Sequence, residues 1–164
     1  MKRRLLLAAA TAGVLAGCGF QLRQAPTFAF DKLAISAGGA SSVGNELRRS
    51  LASGGAVTVV PAEQQSTAQV ILDFTLEQRE KVVVGLNATG QVREYQLRSR
   101  LRFKLRTPQG KELIPETELL QTRDISFNES AVLAKEAEEG LLYRDMQTDL
   151  VQQLMRRLAA VKTL

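Results

Sequence analysis

The sequence predicts an α/β domain of the α+β kind: a two-layer sandwich in which a mixed, mostly antiparallel sheet carries two helices on one face. Three observations lead to this prediction. Apolar and polar residues alternate over two long stretches in the middle of the chain, which is typical of strands with one buried face. A strand, a helix and a second strand are indicated near the start. Leucines recur every four residues near the end, as in an amphipathic helix.

The first elements are expected between residues 28 and 60. Residues 28–36 predict a strand, and a helix is expected to begin at Ser41 or Ser42, whose hydroxyls can cap it. Gly55 follows the last apolar position of that helix, where a left-handed residue is common. Residues 56–60 predict a short strand, which we expect to lie parallel to the first through a right-handed crossover.

Three long strands are predicted to follow as two antiparallel hairpins. Residues 70–76 alternate apolar and polar side chains, and residues 95–106 do so again, with one apolar face and one basic face. The turn Pro108-Gln109-Gly110 suits a three-residue hairpin loop and leads into a third strand at residues 111–127. We expect the apolar face of each strand to join the core.

The basic face of the central strand has two interpretations. It consists of Arg98, Arg100, Arg102, Lys104 and Arg106. Matching of the apolar faces and the turn geometry predicts the pairs Thr107–Lys111, Arg102–Glu116, Arg100–Glu118, Phe74–Leu101, Asp73–Arg102, Glu77–Arg98 and Lys81–Glu94. These pairs would make a charge-laddered solvent face, which we favour. Alternatively, Arg100 and Arg102 belong to a docking surface for an anionic lipid or glycan.

A long helix over about residues 130–161 is predicted to complete the fold. Its apolar stripe consists of Leu142, Met146, Leu150, Leu154 and Leu158. Because glycine weakens a helix, we expect a break or kink near Gly140.

The beginning of the chain predicts export and lipidation. Residues 1–17 combine a basic tip, a short apolar run and small residues, which is the layout of a cleaved signal peptide. The run Leu15-Ala16-Gly17-Cys18 resembles a bacterial lipobox, in which the cysteine thiol receives lipid and becomes residue one. We therefore expect a lipidated tether at 18–27 and a single domain at 28–164. The alternative is an ordinary secretion signal with a chance cysteine.

The composition excludes several kinds of site. The chain has no histidine, which removes Ser-His-Asp and Cys-His catalysis and nearly all zinc sites. Cys18 is the only cysteine, so no disulfide framework is expected. Loss of the basic tip lowers Lys and Arg from 22 to 19 against 17 Asp and Glu, so the formal net charge falls from +5 to +2. The basic precursor is therefore no argument for nucleic-acid binding.

The expected mature chain resembles the LptE family of lipopolysaccharide-assembly lipoproteins. Its start, Cys18-Gly19-Phe20-Gln21-Leu22-Arg23, is similar to the Cys-Gly-aromatic-x-Leu-Arg opening of that family. The order of elements is also similar, as are the pair Glu94-Tyr95 and the run Leu133-Ala134-Lys135-Glu136. The resemblance covers essentially all of the expected mature chain.

The resemblance implies an outer-membrane lipoprotein that carries diacylglycerol and N-acyl (palmitate) lipid on Cys18 and no other cofactor. It implies a place on the periplasmic side and inside the LptD β-barrel, as plug and assembly factor, and help in delivering lipopolysaccharide to the cell surface without catalysis. It also implies lipopolysaccharide binding by basic residues near the far end of the sheet. Lys135 matches such a residue directly, and Arg93 is the nearest substitute for one missing from residues 86–90. Arg100 and Arg102 complete the set of candidate lipopolysaccharide-binding residues.

Two other classes of function stay open from the sequence. One is an envelope lipoprotein that binds a different anionic glycolipid or polymer. The other is a histidine-independent envelope hydrolase with a carboxylate pair or a Ser-Lys pair, although no acid cluster or nucleophile elbow stands out. Residues 82–86 are apolar at an expected hairpin tip, where they either pack on the protein's own sheet or contact a barrel wall or an acyl chain.

Overall fold

The computed structural model describes residues 26–164, so the predicted signal peptide, Cys18 and nearly all of the predicted tether lie outside the described residues. In chain order the elements are β1 (Lys32–Ser36), α1 (Ser42–Gly54), β2 (Thr58–Val60), β3 (Val70–Leu86), β4 (Val92–Arg106), β5 (Glu112–Ser126) and α2 (Val132–Ala159), with short 3-10 helices at Ala62–Thr67 and Glu129–Ala131. The sheet has the order β2-β1-β3-β4-β5. The strand β1 is parallel to both of its neighbours, and the two long hairpins are antiparallel, which confirms the predicted mixed sheet.

Both α-helices pack on one face of the sheet, as predicted. In α1 the buried residues include Val43, Leu47 and Leu51, and in α2 they include Leu150, Val151, Leu154 and Leu158. These side chains form one cluster with the apolar faces of β1, β3 and β4. Burial of a large aliphatic side chain contributes about 1.5–3 kcal/mol, so this cluster is the main source of stability.

The first strand is shorter than predicted because a side chain replaces part of its ladder. The prediction of a strand from residue 28 is wrong, since β1 begins at Lys32. The backbone N–H groups of Asp31 and Lys32 donate to the Oε1 atom of Gln69, at 2.6 and 3.1 Å, instead of to a neighbouring strand. Phe30, just before the strand, is buried in the core.

A β-bulge at Thr75 changes the face on which the second half of β3 presents its side chains. Phe74 pairs with Phe103, but the next pair is Leu76 with Arg102, so Thr75 is an extra residue. Beyond the bulge Glu77 lies opposite Leu101, on the face that carries the helices. The ladder is already shifted by two residues before the bulge, so the predicted pairs Phe74–Leu101 and Asp73–Arg102 are wrong, and beyond the bulge the predicted pairs Glu77–Arg98 and Lys81–Glu94 are wrong as well.

The bulge brings the Glu77 carboxylate to the N-terminus of α1. The backbone N–H groups of Ser42 and Val43 both donate to Glu77 Oε1 at 3.1 Å, and the Ser42 hydroxyl donates to the same atom at 2.9 Å. The Ser41 hydroxyl oxygen in turn accepts from the Gly44 N–H at 2.8 Å, as expected of a capping serine. A carboxylate at this position also interacts favourably with the helix dipole. Glu77 therefore ties the middle of β3 to α1.

The predicted register of the second hairpin is correct at its turn and wrong farther along the strands. The Thr107 N–H donates to the Lys111 carbonyl at 2.8 Å, as the turn residues predict. Two irregularities follow between Phe103 and Arg106, so Arg102 pairs with Glu118 rather than Glu116, and Arg100 pairs with Leu120 rather than Glu118. The shift surrounds Pro115, which has no N–H to donate to the ladder.

The final helix is continuous through Gly140, so the expected break is wrong. The α2 helix extends over 28 residues without interruption. Near the glycine, Leu142, Tyr143 and the buried Met146 pack against Tyr95, Leu97 and Ile125. This packing offsets the ~1 kcal/mol that glycine costs inside a helix. Among residues 26–164, no helix has the length and apolarity that crossing a bilayer requires.

Candidate functional site

Three segments meet at the end of the long strands where the β3–β4 hairpin turns. They are the β3–β4 hairpin tip, the end of β5 with Phe127, and the first turns of α2; together we call them the distal end. The Phe127 N–H donates to the Arg93 carbonyl at 2.8 Å, which closes the end of β5 onto β4. The Phe127 and Tyr95 rings meet edge to face, with centroids 5.4 Å apart. The distal end is therefore an ordered surface with an aromatic pair at its centre.

Two lysines line one pocket on this surface. Lys81, on β3, places its Nζ 2.6 Å from Glu139 Oε2 and 4.4 Å from the centroid of the Tyr95 ring. Lys135, on α2, donates to Ser126 Oγ at 3.0 Å and to Glu138 Oε2 at 2.9 Å. Both lysines line one small pocket of about 50 Å³, together with Tyr95, Ile125, Ser126, Phe127, Val132, Glu136 and Glu139.

Lys81 is the site residue that sequence reasoning missed. In the predicted register it lies beside Glu94 on the solvent face, whereas the Thr75 bulge turns it toward α2. The alternation of residue types in β3 gives no signal of this change, because a bulge adds a residue without interrupting the strand.

Arg93 belongs to the same end of the molecule as Lys135. It is exposed and lines a groove of about 240 Å³ with Gln91, Val92, Phe127, Asn128, Glu129 and Ser130. Because Phe127 lines both this groove and the lysine pocket, the two are neighbours. The structure thus brings together Arg93 and Lys135, the two candidates that the family resemblance indicated.

Exposed apolar residues surround these cations. Leu86 at the hairpin tip is 62% exposed, and Leu133 in the first turn of α2 is 82% exposed. Val83, Val84 and Val132 are also exposed. The sequence predicts that residues 82–86 either pack on the protein's own sheet or contact a barrel wall or an acyl chain. In the structure Val83, Val84 and Leu86 keep much of their surface in contact with solvent, so packing on the sheet does not cover them. The distal end therefore offers cations beside apolar surface, a combination that suits a ligand with both anionic and apolar parts.

Arg100 and Arg102 lie elsewhere, on the sheet face opposite the helices. Arg102 Nε is 2.7 Å from Glu118 Oε2, and Arg100 Nε is 3.6 Å from Glu118 Oε1. Farther along the same face, Arg106 Nε is 2.7 Å from Asp73 Oδ2. Three of the five basic residues are thus paired with acids, as in a charge ladder, although the partners differ from most of those predicted. The structure does not bring Arg100 and Arg102 together with Arg93 and Lys135.

The charge ladder makes a prediction about pH. The hydrogen bond from Arg102 lowers the pKa of the Glu118 carboxyl below its ordinary value of 4.5. A lowered pKa stabilises the folded state above pH 4.5, and this contribution is lost as the pH falls through the folded-state pKa. We expect Arg102→Gln to raise the Glu118 pKa toward 4.5 in an NMR titration. The matched variant Arg98→Gln, on the same face, should leave it unchanged; an equal rise in both variants would contradict a specific hydrogen bond.

The fold and the distal end define a class of protein: a small two-layer α+β protein with one end suited to an amphiphilic anion. The chain belongs to the LptE lipopolysaccharide-assembly family, whose model matches residues 30–158. This match confirms the resemblance that the sequence indicated. Membership makes the chain a lipopolysaccharide-assembly lipoprotein of the cell envelope.

Solved structures show the same fold. The chain is similar to the solution structure of an uncharacterized lipoprotein B from Nitrosomonas europaea, with 32% identity, a TM-score of 0.72 and coverage of 87% of this chain and 91% of the other. It is also similar to the rare lipoprotein B of Shewanella oneidensis (22% identity, TM-score 0.66, coverage 79% and 95%). A third similar structure is a minor lipoprotein from Acinetobacter baumannii (19% identity, TM-score 0.63, coverage 80% and 92%). Among curated protein sequences, none matches this chain.

Proposed function

We propose that this protein is an outer-membrane lipoprotein that works as the partner of the lipopolysaccharide-translocating β-barrel LptD. In this proposal acyl chains on Cys18 anchor it, and its domain plugs the barrel, assists barrel assembly and helps deliver lipopolysaccharide to the cell surface. The observation that carries the proposal is the distal end, where Arg93, Lys135 and Lys81 lie beside exposed Leu86 and Leu133 in a chain of the lipopolysaccharide-assembly family.

The chemistry of the ligand supports a binding role. Lipopolysaccharide carries phosphates and acyl chains, so a protein that contacts it needs a few cations next to apolar surface. A deep polar pocket is not required, and the grooves at the distal end are small. The proposed role is therefore structural and ligand-binding, without a chemical step.

Recovery of the partner tests the proposal. We expect the tagged, full-length protein to recover a large β-barrel protein in equal amount from detergent-solubilised outer membranes. Leu86→Asp should reduce this recovery about tenfold, because burial of one leucine contributes about 1.5–3 kcal/mol. Leu120→Asp is the matched control, since Leu120 is also an exposed strand leucine but lies on the opposite sheet face.

Two outcomes would count against the proposal. Absence of a stoichiometric barrel protein from the wild-type sample contradicts the partnership and favours a free-standing lipoprotein that binds another anionic polymer. An equal loss of recovery with Leu120→Asp would move the contact from the distal end to the open sheet face. Urea unfolding of both variants verifies that they remain folded.

A further inference from the structure

Neighbouring carboxylates on α2 hold both lysines of the distal end. Glu139 pairs with Lys81 at 2.6 Å, and Glu138 pairs with Lys135 at 2.9 Å. The side chains remain in contact with solvent: the exposed fractions are 35% for Lys81 and 22% for Glu139. Ion pairs that contact water have a weak net attraction, because each charge keeps much of its hydration and each side chain loses freedom. An anion with a stronger hold on the lysines can therefore displace these carboxylates.

The pocket that the two lysines line is small, at about 50 Å³, and the carboxylates of Glu136 and Glu139 line it with them. A phosphate group that binds Lys81 there has to take the place of Glu139, which holds the lysine at 2.6 Å. The movable parts of the lining are the long side chains of Lys81, Lys135 and Glu139, whereas Tyr95 and Ile125 are fixed by packing.

Phosphate is a better partner for two lysines than a carboxylate. It carries about −1.5 to −2 charges at neutral pH and three strong acceptor oxygens, so one group can accept from both ammonium groups at once. The Tyr95 ring lies under the Lys81 ammonium at 4.4 Å and keeps a favourable contact with it after Glu139 leaves. Exposed Val132 at the edge of the pocket and neighbouring Leu133 offer contact to the apolar part of such a ligand.

We propose that Lys81 and Lys135 form one phosphate site, whose lysines pair with Glu139 and Glu138 in the free protein, and that a glycolipid phosphate binds by taking the place of these carboxylates. The inference rests on the proposed function and deepens it. It adds Lys81 as a ligand-binding residue and makes Glu139 a group that competes with the ligand. Each lysine exchanges one carboxylate partner for a phosphate oxygen, and no covalent bond changes.

Binding of diphosphorylated lipid A to the full-length protein in detergent tests this exchange. We expect Glu139→Gln to tighten binding about two- to fivefold, because it removes the competing carboxylate. Lys81→Gln should weaken binding about tenfold, as loss of a charged hydrogen bond does. The double variant should match Lys81→Gln alone, since Glu139 acts only through that lysine.

Glu118→Gln is the matched control. It removes one negative charge and frees Arg100 and Arg102, but on the opposite face. Equal tightening by Glu118→Gln and Glu139→Gln would show a general charge effect and overturn the site. An unchanged affinity in Lys81→Gln, with an unaltered unfolding curve, would also overturn it.

Two further ligands define what the site recognises. With dephosphorylated lipid A the Glu139→Gln and wild-type proteins should bind equally, and a remaining difference would contradict phosphate as the recognised group. Inorganic phosphate should compete only weakly, and equal affinity for it would overturn the glycolipid as the ligand. If neither wild type nor Glu139→Gln binds lipid A, the exchange is wrong, while recovery of the barrel still decides the proposed function separately.

Discussion

Glu77→Ala is expected to lower the free energy of unfolding by about 1–2 kcal/mol, because the α1 N-terminus loses the carboxylate that accepts two backbone N–H bonds. Deletion of Thr75, in contrast, should leave the face of Glu77 unchanged, since the pairs Phe74–Phe103 and Leu76–Arg102 then follow each other in a regular ladder.

Thr75→Ala is the control for the Glu77→Ala variant. It keeps the extra residue and loses only the hydrogen bond from the Thr75 hydroxyl to Glu116, which is exposed and 2.7 Å long. We expect this variant to cost less than about 1 kcal/mol in urea unfolding. If Glu77→Ala unfolds at the same urea concentration as the control, the carboxylate of Glu77 does not contribute to the attachment of α1 to β3.

The order and type of the elements can be predicted from local patterns in the sequence. Alternation in β4, a leucine every fourth residue in α2 and a capping serine before α1 each reflect burial or hydrogen bonding within a few residues. The hairpin turn is equally local, so the pair Thr107–Lys111 was predictable. These features determine which elements form and which side of each is apolar.

The register of paired strands, and the sheet face on which each side chain lies, depend on single inserted residues. Local sequence patterns do not reveal such insertions. Leu76 continues the apolar alternation of Leu72 and Phe74, yet it pairs with Arg102 on the open face. Pro115 is compatible with an edge strand, and its position alone does not show how far the ladder shifts around it. In both cases a small backbone change moves every later side chain to a new partner.

The same limit applies to the candidate site. Lys135 and Arg93 follow from the family resemblance, and the topology brings them to one end because β4 begins where β5 ends. Lys81 faces α2 only because of the bulge. Its pairing with Glu139 joins residues 58 positions apart. Long-range pairs of this kind depend on packing between elements, which residue spacing does not encode.

Replacement of Cys18 by alanine is expected to abolish incorporation of labelled palmitate and to remove the lipid anchor. Cys18 is the only cysteine in the chain, so no other thiol can accept the lipid. Each buried CH₂ contributes ~0.8 kcal/mol to membrane binding, and two or more chains hold a protein on a bilayer almost permanently. Labelling of the alanine variant would contradict Cys18 as the modified residue. The variant should be made behind an ordinary cleaved signal peptide, so that residues 1–17 do not retain it.

The fraction of the Cys18→Ala protein that stays with outer membranes then measures contacts other than lipid. If the domain occupies a barrel, part of the unlipidated protein should remain after a salt wash, because apolar contacts are insensitive to screening. Adding Leu86→Asp should release that part, whereas adding Leu120→Asp should not. The folded domain should unfold at the same urea concentration with or without Cys18, since the core cluster of the described residues lies between Phe28 and Val161. Complete release by Cys18→Ala alone would mean that the lipid is the principal attachment and that the distal end contributes little to retention.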